Sequence, residues 1–270
     1  MTTFAARTDA GRRGGQNEDA IGWDANGHLW FVADGMGGHA AGAVASQVVK
    51  DTLIALADSN SPEQAVLKAH EAVAADAARN PQHAGMGATL VSAWLDKRVC
   101  RVVWVGDSRA YLWRNRALEP LTRDHSYLEE LRKLNEMSDE ELQNHPDRHL
   151  VLQSLGIGSP EPSSSETRLR AGDWVLLCSD GLTDELTDAE VARVLASVDT
   201  VQDGADALIR AALEKGGRDN VSVVLVAADA PGRFRGWKFS GTTLAVLAAV
   251  GGIGAALAFA AAWWYLYSKR

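Results

Sequence analysis

The chain has 270 residues, 46% of them apolar, enough for one large domain with a substantial core. Its 35 acidic residues outnumber 27 basic ones, a formal net charge of -8, which argues against a protein that grips a phosphate backbone over a broad basic face. Cys100 and Cys178 lie in separate apolar runs with no CxxC or Cys/His spacing, so neither a disulfide framework nor a zinc site is expected. Two reduced, buried thiols are the expectation, with a redox-sensitive Cys178, two residues before Asp180, as the alternative.

In chain order, the opening MTTFAARTDAGRR has no apolar stretch of the signal-peptide kind. Apolar runs predict strands near 20–24 and 28–33, the second stopping at Asp34 in WFVADGMGGH. A helix is expected over 40–57, with small residues on its first turns. A second starts at Pro62, a favoured first-turn position, and runs to Arg79 before Asn80-Pro81. Strands follow at 88–95, 99–105, 109–114 and 117–121, joined by polar hairpin turns at Asp96-Lys97-Arg98 and Asn115-Arg116. Residues 125–148 are charged and read as helical, with a capping-box pattern at Ser138-Asp139-Glu140-Glu141. A Gly/Pro/Ser-rich loop is expected over 156–165, then a strand at 173–178, helices near 187–197 and 201–215, and a last strand at Val221–Ala227.

Residues 1–229 therefore read as one α+β domain and 230–240 as a linker to a segment at 241–270. Leu244 to Tyr267 is 24 residues without a charge. As a helix it would span about 36 Å, longer than the roughly 30 Å hydrocarbon core of a bilayer. Trp263, Trp264, Tyr265 and Tyr267 cluster at one end, as an interfacial belt would, and a short basic tail follows. The expectation is a single-pass transmembrane anchor in the inner (cytoplasmic) membrane, with the large domain in the cytoplasm.

Three apolar runs end in a carboxylate beside glycine: ADGMGG at Asp34, VGDSR at Asp107 and SDGLTD at Asp180, with Asp184 following. Glu18 and Asp19 in QNEDA and Asp219 in GGRDN extend the set. Carboxylates held by a rigid scaffold and brought together repel one another, and a divalent cation relieves the repulsion. Oxygen-only donors suit Mg²⁺ or Mn²⁺ rather than Zn²⁺.

The ordered set NED, DGMGGHAAG, GATL, GDSR, LTRDHS, SDGLTD and RDN resembles the metal-dependent serine/threonine protein phosphatases of type 2C, in their bacterial form, over residues 5–228. That resemblance implies a four-layer αββα sandwich, two central antiparallel β-sheets flanked by helices, with two or three Mn²⁺ or Mg²⁺ ions at one edge. It implies that Asp34 bridges two ions, that the Gly35 carbonyl joins one, and that Asp180 and Asp219 hold the other. Glu18 acts through water on the metals and Asp19 supports that shell. Asp107 and Asp184 hold a third, weaker ion, Asn220 positions Asp219, and 125–160 forms a variable flap. The implied activity is hydrolysis of phosphoserine and phosphothreonine in proteins, opposing a Ser/Thr kinase, without a protein nucleophile. Ser108 and Ser179 are accordingly structural.

The chain departs from the family pattern in three places. Members usually carry a phosphate-binding Arg where Gly14 stands in GRRGGQNED. Arg13, one residue earlier, is the candidate to reach the phosphate, because a guanidinium donates parallel charge-assisted hydrogen bonds; the alternative leaves Arg12 and Arg13 as solvated charges. Met36 follows the first Asp-Gly where eukaryotic members have His, so a metal-bound water or His39 is left to protonate the leaving group. Ala43 stands where bacterial members often have Glu. Two other readings stay open: a catalytically weak phosphoprotein-binding module, and a phosphatase of small phosphomonoesters.

Overall fold

A computed structural model describes residues 3–37, 41–134, 137, 141 and 145–228. The expected anchor at 241–270, its linker, His39 and most of the Ser138 capping box lie outside the described residues. No described helix is long and apolar enough to cross a membrane.

Eleven described strands form two sheets in which every named pairing is antiparallel. One sheet runs in the order β1 (Thr3–Asp9), β11 (Val221–Ala227), β10 (Trp174–Cys178), β7 (Arg109–Arg114), β8 (Ala117–Pro120). The other runs β2 (Asp19–Trp23), β3 (Leu29–Met36), β5 (Leu90–Asp96), β6 (Val99–Val105), β9 (Ser163–Arg168), with the short β4 (Gly87–Ala88) also on β3.

The central strands are apolar on both faces because each face has its own core. In β3, Leu29, Phe31 and Ala33 face helices α1 (Ala41–Ala55) and α2 (Pro62–Arg79), while Trp30 and Val32 face the second sheet. In β11, Val221, Val223 and Leu225 pack under helices α5 (Asp188–Ala196) and α6 (Val201–Lys215), while Val224 and Val226 join the inter-sheet core. Helix, sheet, sheet and helix thus enclose three apolar layers. Ser61 caps α2 by accepting from the Gln64 N–H, with Pro62 in its first turn, and Thr187 and Glu190 form a reciprocal capping box on α5. Asn115 and Arg116 both take positive φ, 52° and 63°, in a two-residue hairpin turn.

Four expectations change. β1 is a strand that sequence reading passed over; of its residues only Ala5 is fully buried, so it carries little apolar signal. β9 begins inside the loop expected over 156–165: its SSSETR is a polar edge strand, alternately exposed, paired to β6. β3 does not end at Asp34 but runs to Met36, because Gly35 and Met36 pair with β4. The helical reading of 125–148 holds for α3 (Tyr127–Leu134); residues 146–149 are turns. This segment closes on itself through Tyr127 N–H to Leu150 O (3.0 Å) and Leu152 N–H to His125 O (2.8 Å).

Candidate metal centre

The site grows from one strand pairing. Asp19 in β2 stands directly opposite Asp34 in β3. Like charges across an antiparallel pair destabilise a sheet, so the arrangement needs a compensating group. Helix α4 (Asp180–Thr183) follows β10 and opens with Asp180, whose carboxylate lies within hydrogen-bonding reach of Asp34. Asp107 follows β6, Asp219 precedes β11 and Glu18 precedes β2. One edge of the sandwich thereby gathers carboxylates from both sheets.

Burial and mutual repulsion oppose their ionisation. Burial, then the charges of Asp19, Asp180 and Asp107, hold the Asp34 carboxyl well above the ordinary range. Burial, with Asp180 and Asp219 nearby, outweighs hydrogen bonds from Ser222 and Ser179 and pushes Asp19 up to about 7. Asp180 rises to about 6 through burial and the Asp184 charge, and Asp107 rises through burial and the charges of Asp180 and Asp124. Glu18 is raised by burial and by Asp219.

Neighbouring backbone explains the glycines beside the aspartates. A Cβ on Gly35 would sit 2.0 Å from the Gly42 carbonyl oxygen, and one on Gly42 would sit 2.6 Å from Glu18 Oε2. The N-terminal part of α1 can therefore press against β3 and Glu18 only through glycine. A Cβ on Gly181 would likewise meet the Asn220 carbonyl oxygen at 2.0 Å. The space at the α-carbons of Gly35 and Gly181 is filled by backbone, and that at Gly42 by the Glu18 side chain and the Gly35 carbonyl.

The supporting hydrogen bonds tie these carboxylates both to other side chains and to backbone. Ser179 donates to Asp19 Oδ2 (2.8 Å) and accepts from the Ser222 N–H (3.0 Å). Asn220 accepts from the Glu18 N–H (2.7 Å) and donates to the Ala10 carbonyl (3.0 Å), while its own N–H binds Asp219 Oδ1 (2.8 Å). Ser108 shares a hydrogen bond with Thr89 (2.7 Å). Beside Asp107, Arg109 binds Asp124 through Nε and Nη2. Both thiols are buried, and burial pushes each up to about 12, which makes them poor thiolate nucleophiles.

The donor set fits hard divalent cations. Asp19 Oδ1 and Asp180 Oδ1 are buried without a hydrogen-bond partner, so two carboxylate oxygens at the centre have lone pairs that the protein leaves unmatched. Oxygen donors from Asp34, Asp180, Asp219 and the Gly35 carbonyl can hold such ions, with Glu18 and Asp19 beside them.

Two features lie at the margin. Arg13 lines a cleft of about 190 Å³ with Gln16, Glu18, Arg218, Asp219 and Asn220, so the shifted arginine borders the carboxylate edge. Gly14 and Gly15, at φ 73° and 125°, carry the loop. Arg218, the other cation there, is tied to the buried Glu185. The second feature is His149, which sequence reading passed over. Among the described residues, ligand atoms of Asp184, Asp180 and His149 all lie within 4.8 Å of one another. His149 lies far from Asp184 in a charged segment without a local motif, so nothing in the sequence pointed to it.

Comparison with known proteins agrees with this geometry. The Protein phosphatase 2C family profile matches residues 8–215. The chain is 38% identical over 230 residues to the serine/threonine protein phosphatase PstP of Mycobacterium tuberculosis (strain H37Rv), with 82% of this chain covered. It spans only 44% of that relative's length. It is 37% identical over 241 residues to the serine/threonine phosphatase stp of Listeria monocytogenes (serovar 1/2a), covering 83% of this chain and 94% of that one. A crystal structure of the PstP catalytic domain in complex with two manganese ions superposes with a TM-score of 0.77 at 36% identity, over 85% of this chain and 99% of that chain. With two antiparallel sheets between helices and a carboxylate centre at their edge, the chain belongs to the protein phosphatase 2C family.

Proposed function

We propose that this protein is a metal-dependent protein serine/threonine phosphatase, hydrolysing phosphoserine and phosphothreonine in proteins and opposing a Ser/Thr kinase. The observation that carries this reading is the cross-strand pair Asp19–Asp34 joined by Asp180, with two buried carboxylate oxygens left without partners. The names of the relatives and the two manganese ions of the PstP structure support it.

Asp34, Asp180, Asp219 and the Gly35 carbonyl hold Mn²⁺ or Mg²⁺ in this reading, with Glu18 and Asp19 beside them and Asp107 and Asp184 at the outer edge. When bound, two such ions supply a nucleophilic water at neutral pH and stabilise the charge of an in-line displacement. The chain's own residues do the rest. Asn220 holds the Glu18 amide and the Asp219 carboxylate in register. Ser179 fixes Asp19 and is itself engaged, so it is not a nucleophile. Arg13 binds the substrate phosphate from the cleft beside Glu18 and Asp219. Water adds to phosphorus, the P–O bond to the serine or threonine breaks, and a proton reaches the departing oxygen from water or His39.

We further propose that Leu244–Tyr267 anchors the chain as a single pass in the inner membrane. Its uncharged length and aromatic end support this. Arg233, Arg235 and Lys238 on the near flank, against Lys269 and Arg270 on the far one, favour a catalytic domain on the cytoplasmic side.

The test is phosphate release from a phosphothreonine peptide by the full-length protein. Turnover with Mn²⁺ that EDTA stops and Asp34→Asn abolishes is expected. Folded protein that binds Mn²⁺ without turnover would favour a phosphoprotein-binding module. Turnover of free phosphoserine in preference to the peptide would favour a small-molecule phosphatase.

A further inference from the structure

We propose that His149 is a metal ligand: with Asp180 and Asp184 it forms an outer cation site with one imidazole nitrogen, which favours Mn²⁺ and other transition-metal ions over Mg²⁺. This rests on the metal-dependent reading above and deepens it.

The geometry has three parts. The ligand atoms of His149, Asp180 and Asp184 all lie within 4.8 Å of one another, and His149 Nδ1 is 3.2 Å from Asp184 Oδ2. Asp180 Oδ1 is buried and has no hydrogen-bond partner, so one carboxylate oxygen of the three-residue cluster has a lone pair that the protein leaves unmatched. The position of His149 is also fixed. It directly precedes Leu150, whose carbonyl accepts from the Tyr127 N–H (3.0 Å), and Ser126 and Val151 form an isolated antiparallel bridge. A half-exposed side chain is thus delivered to the edge of the carboxylate centre by a hydrogen-bonded base, from a segment 31 positions before Asp180.

An imidazole among carboxylates changes which ions are held. Mg²⁺ prefers oxygen donors and keeps its water, whereas nitrogen donors suit the transition metals. The nearest competitor is Arg148, whose Nε donates to His149 Nε2 at 2.9 Å. It touches the nitrogen that faces away from Asp184, so Nδ1 is the ligating atom.

The test uses full-length protein loaded with Mn²⁺ alone. Bound ions are counted from the free-Mn²⁺ signal by electron paramagnetic resonance, and pulsed measurements detect coupling to an imidazole ¹⁴N. Wild type is expected to show that coupling. His149→Ala is expected to lose it, to weaken the outermost Mn²⁺ at least about tenfold and to leave the inner ions bound. His149→Asp is expected to restore the ion count without the coupling and to let Mg²⁺ compete better. No coupling in wild type, or coupling that persists in His149→Ala, overturns the proposal. If Mn²⁺ still drives phosphate release in that case, the phosphatase reading stands and only the histidine ligand falls. No Mn²⁺ bound at all overturns both.

Discussion

At the scale of single residues, the site is built from atoms the fold leaves unmatched. Asp19 and Asp34 face each other across a strand pair, and one oxygen each of Asp19 and Asp180 is buried without a hydrogen-bond partner. The substrate side is thinner, with Arg13 the arginine proposed to take the phosphate. Arg13→Ala is expected to raise KM for a phosphopeptide about tenfold or more, with Mn²⁺ affinity unchanged; an unaltered KM would return Arg13 to the solvated surface. Gly35 is a different kind of residue, required by its neighbour's backbone. Gly35→Ala would place a Cβ 2.0 Å from the Gly42 oxygen, so α1 must move away from β3. A loss of about 2–3 kcal/mol in urea unfolding is expected, together with weaker Mn²⁺ binding. Wild-type stability in this variant would show that α1 does not need the contact.

At the scale of elements, polar edges and a charged excursion do the positioning. β9 extends its sheet past β6 although its sequence is SSSETR, because an edge strand needs partners on one side only. The excursion from Ser126 to Val151 is tied at its base by backbone hydrogen bonds and ends beside Asp184. The C-terminal segment acts at this scale too. Deleting 241–270 is expected to move the protein from the membrane pellet to the supernatant of lysed cells while metal-dependent turnover persists. Full-length protein already in the supernatant would remove the anchor from the proposal.

At the scale of the whole molecule, three apolar layers hold two sheets between helices, and a partly buried ion pair, Arg114–Asp173, stands at the start of β10. Asp173 accepts from Arg114 through Nε and Nη2 and from the Arg170 N–H. Burial alone would raise its carboxyl, but these donors outweigh burial and hold it below its ordinary value of 3.8. The sign follows: the pair stabilises the fold above about pH 4, and that contribution is lost as pH falls through the lowered value. Asp173→Asn is expected to cost about 2 kcal/mol at pH 7, with the gap to wild type closing below pH 4 in urea titrations. A gap independent of pH would mean that packing, not charge, is what Asp173 supplies.

Much was legible in the sequence by itself. Residues apolar on alternate faces marked β3, β10 and β11, because a strand between two cores must be apolar on both. The helix start at Pro62 and the Asn115-Arg116 turn follow from local chemistry, which needs only near neighbours. The carboxylates Glu18, Asp19, Asp34, Asp107, Asp180, Asp184 and Asp219 stood out through their motifs. Only the tertiary structure decided what they face. The Asp19–Asp34 register, the backbone packed against Gly35 and Gly181, and the meeting of His149 with Asp184 are contacts between distant segments. β1 and β9 stayed hidden for a related reason: their stability comes from pairing with β11 and β6, and pairing between backbones leaves little mark on side-chain pattern.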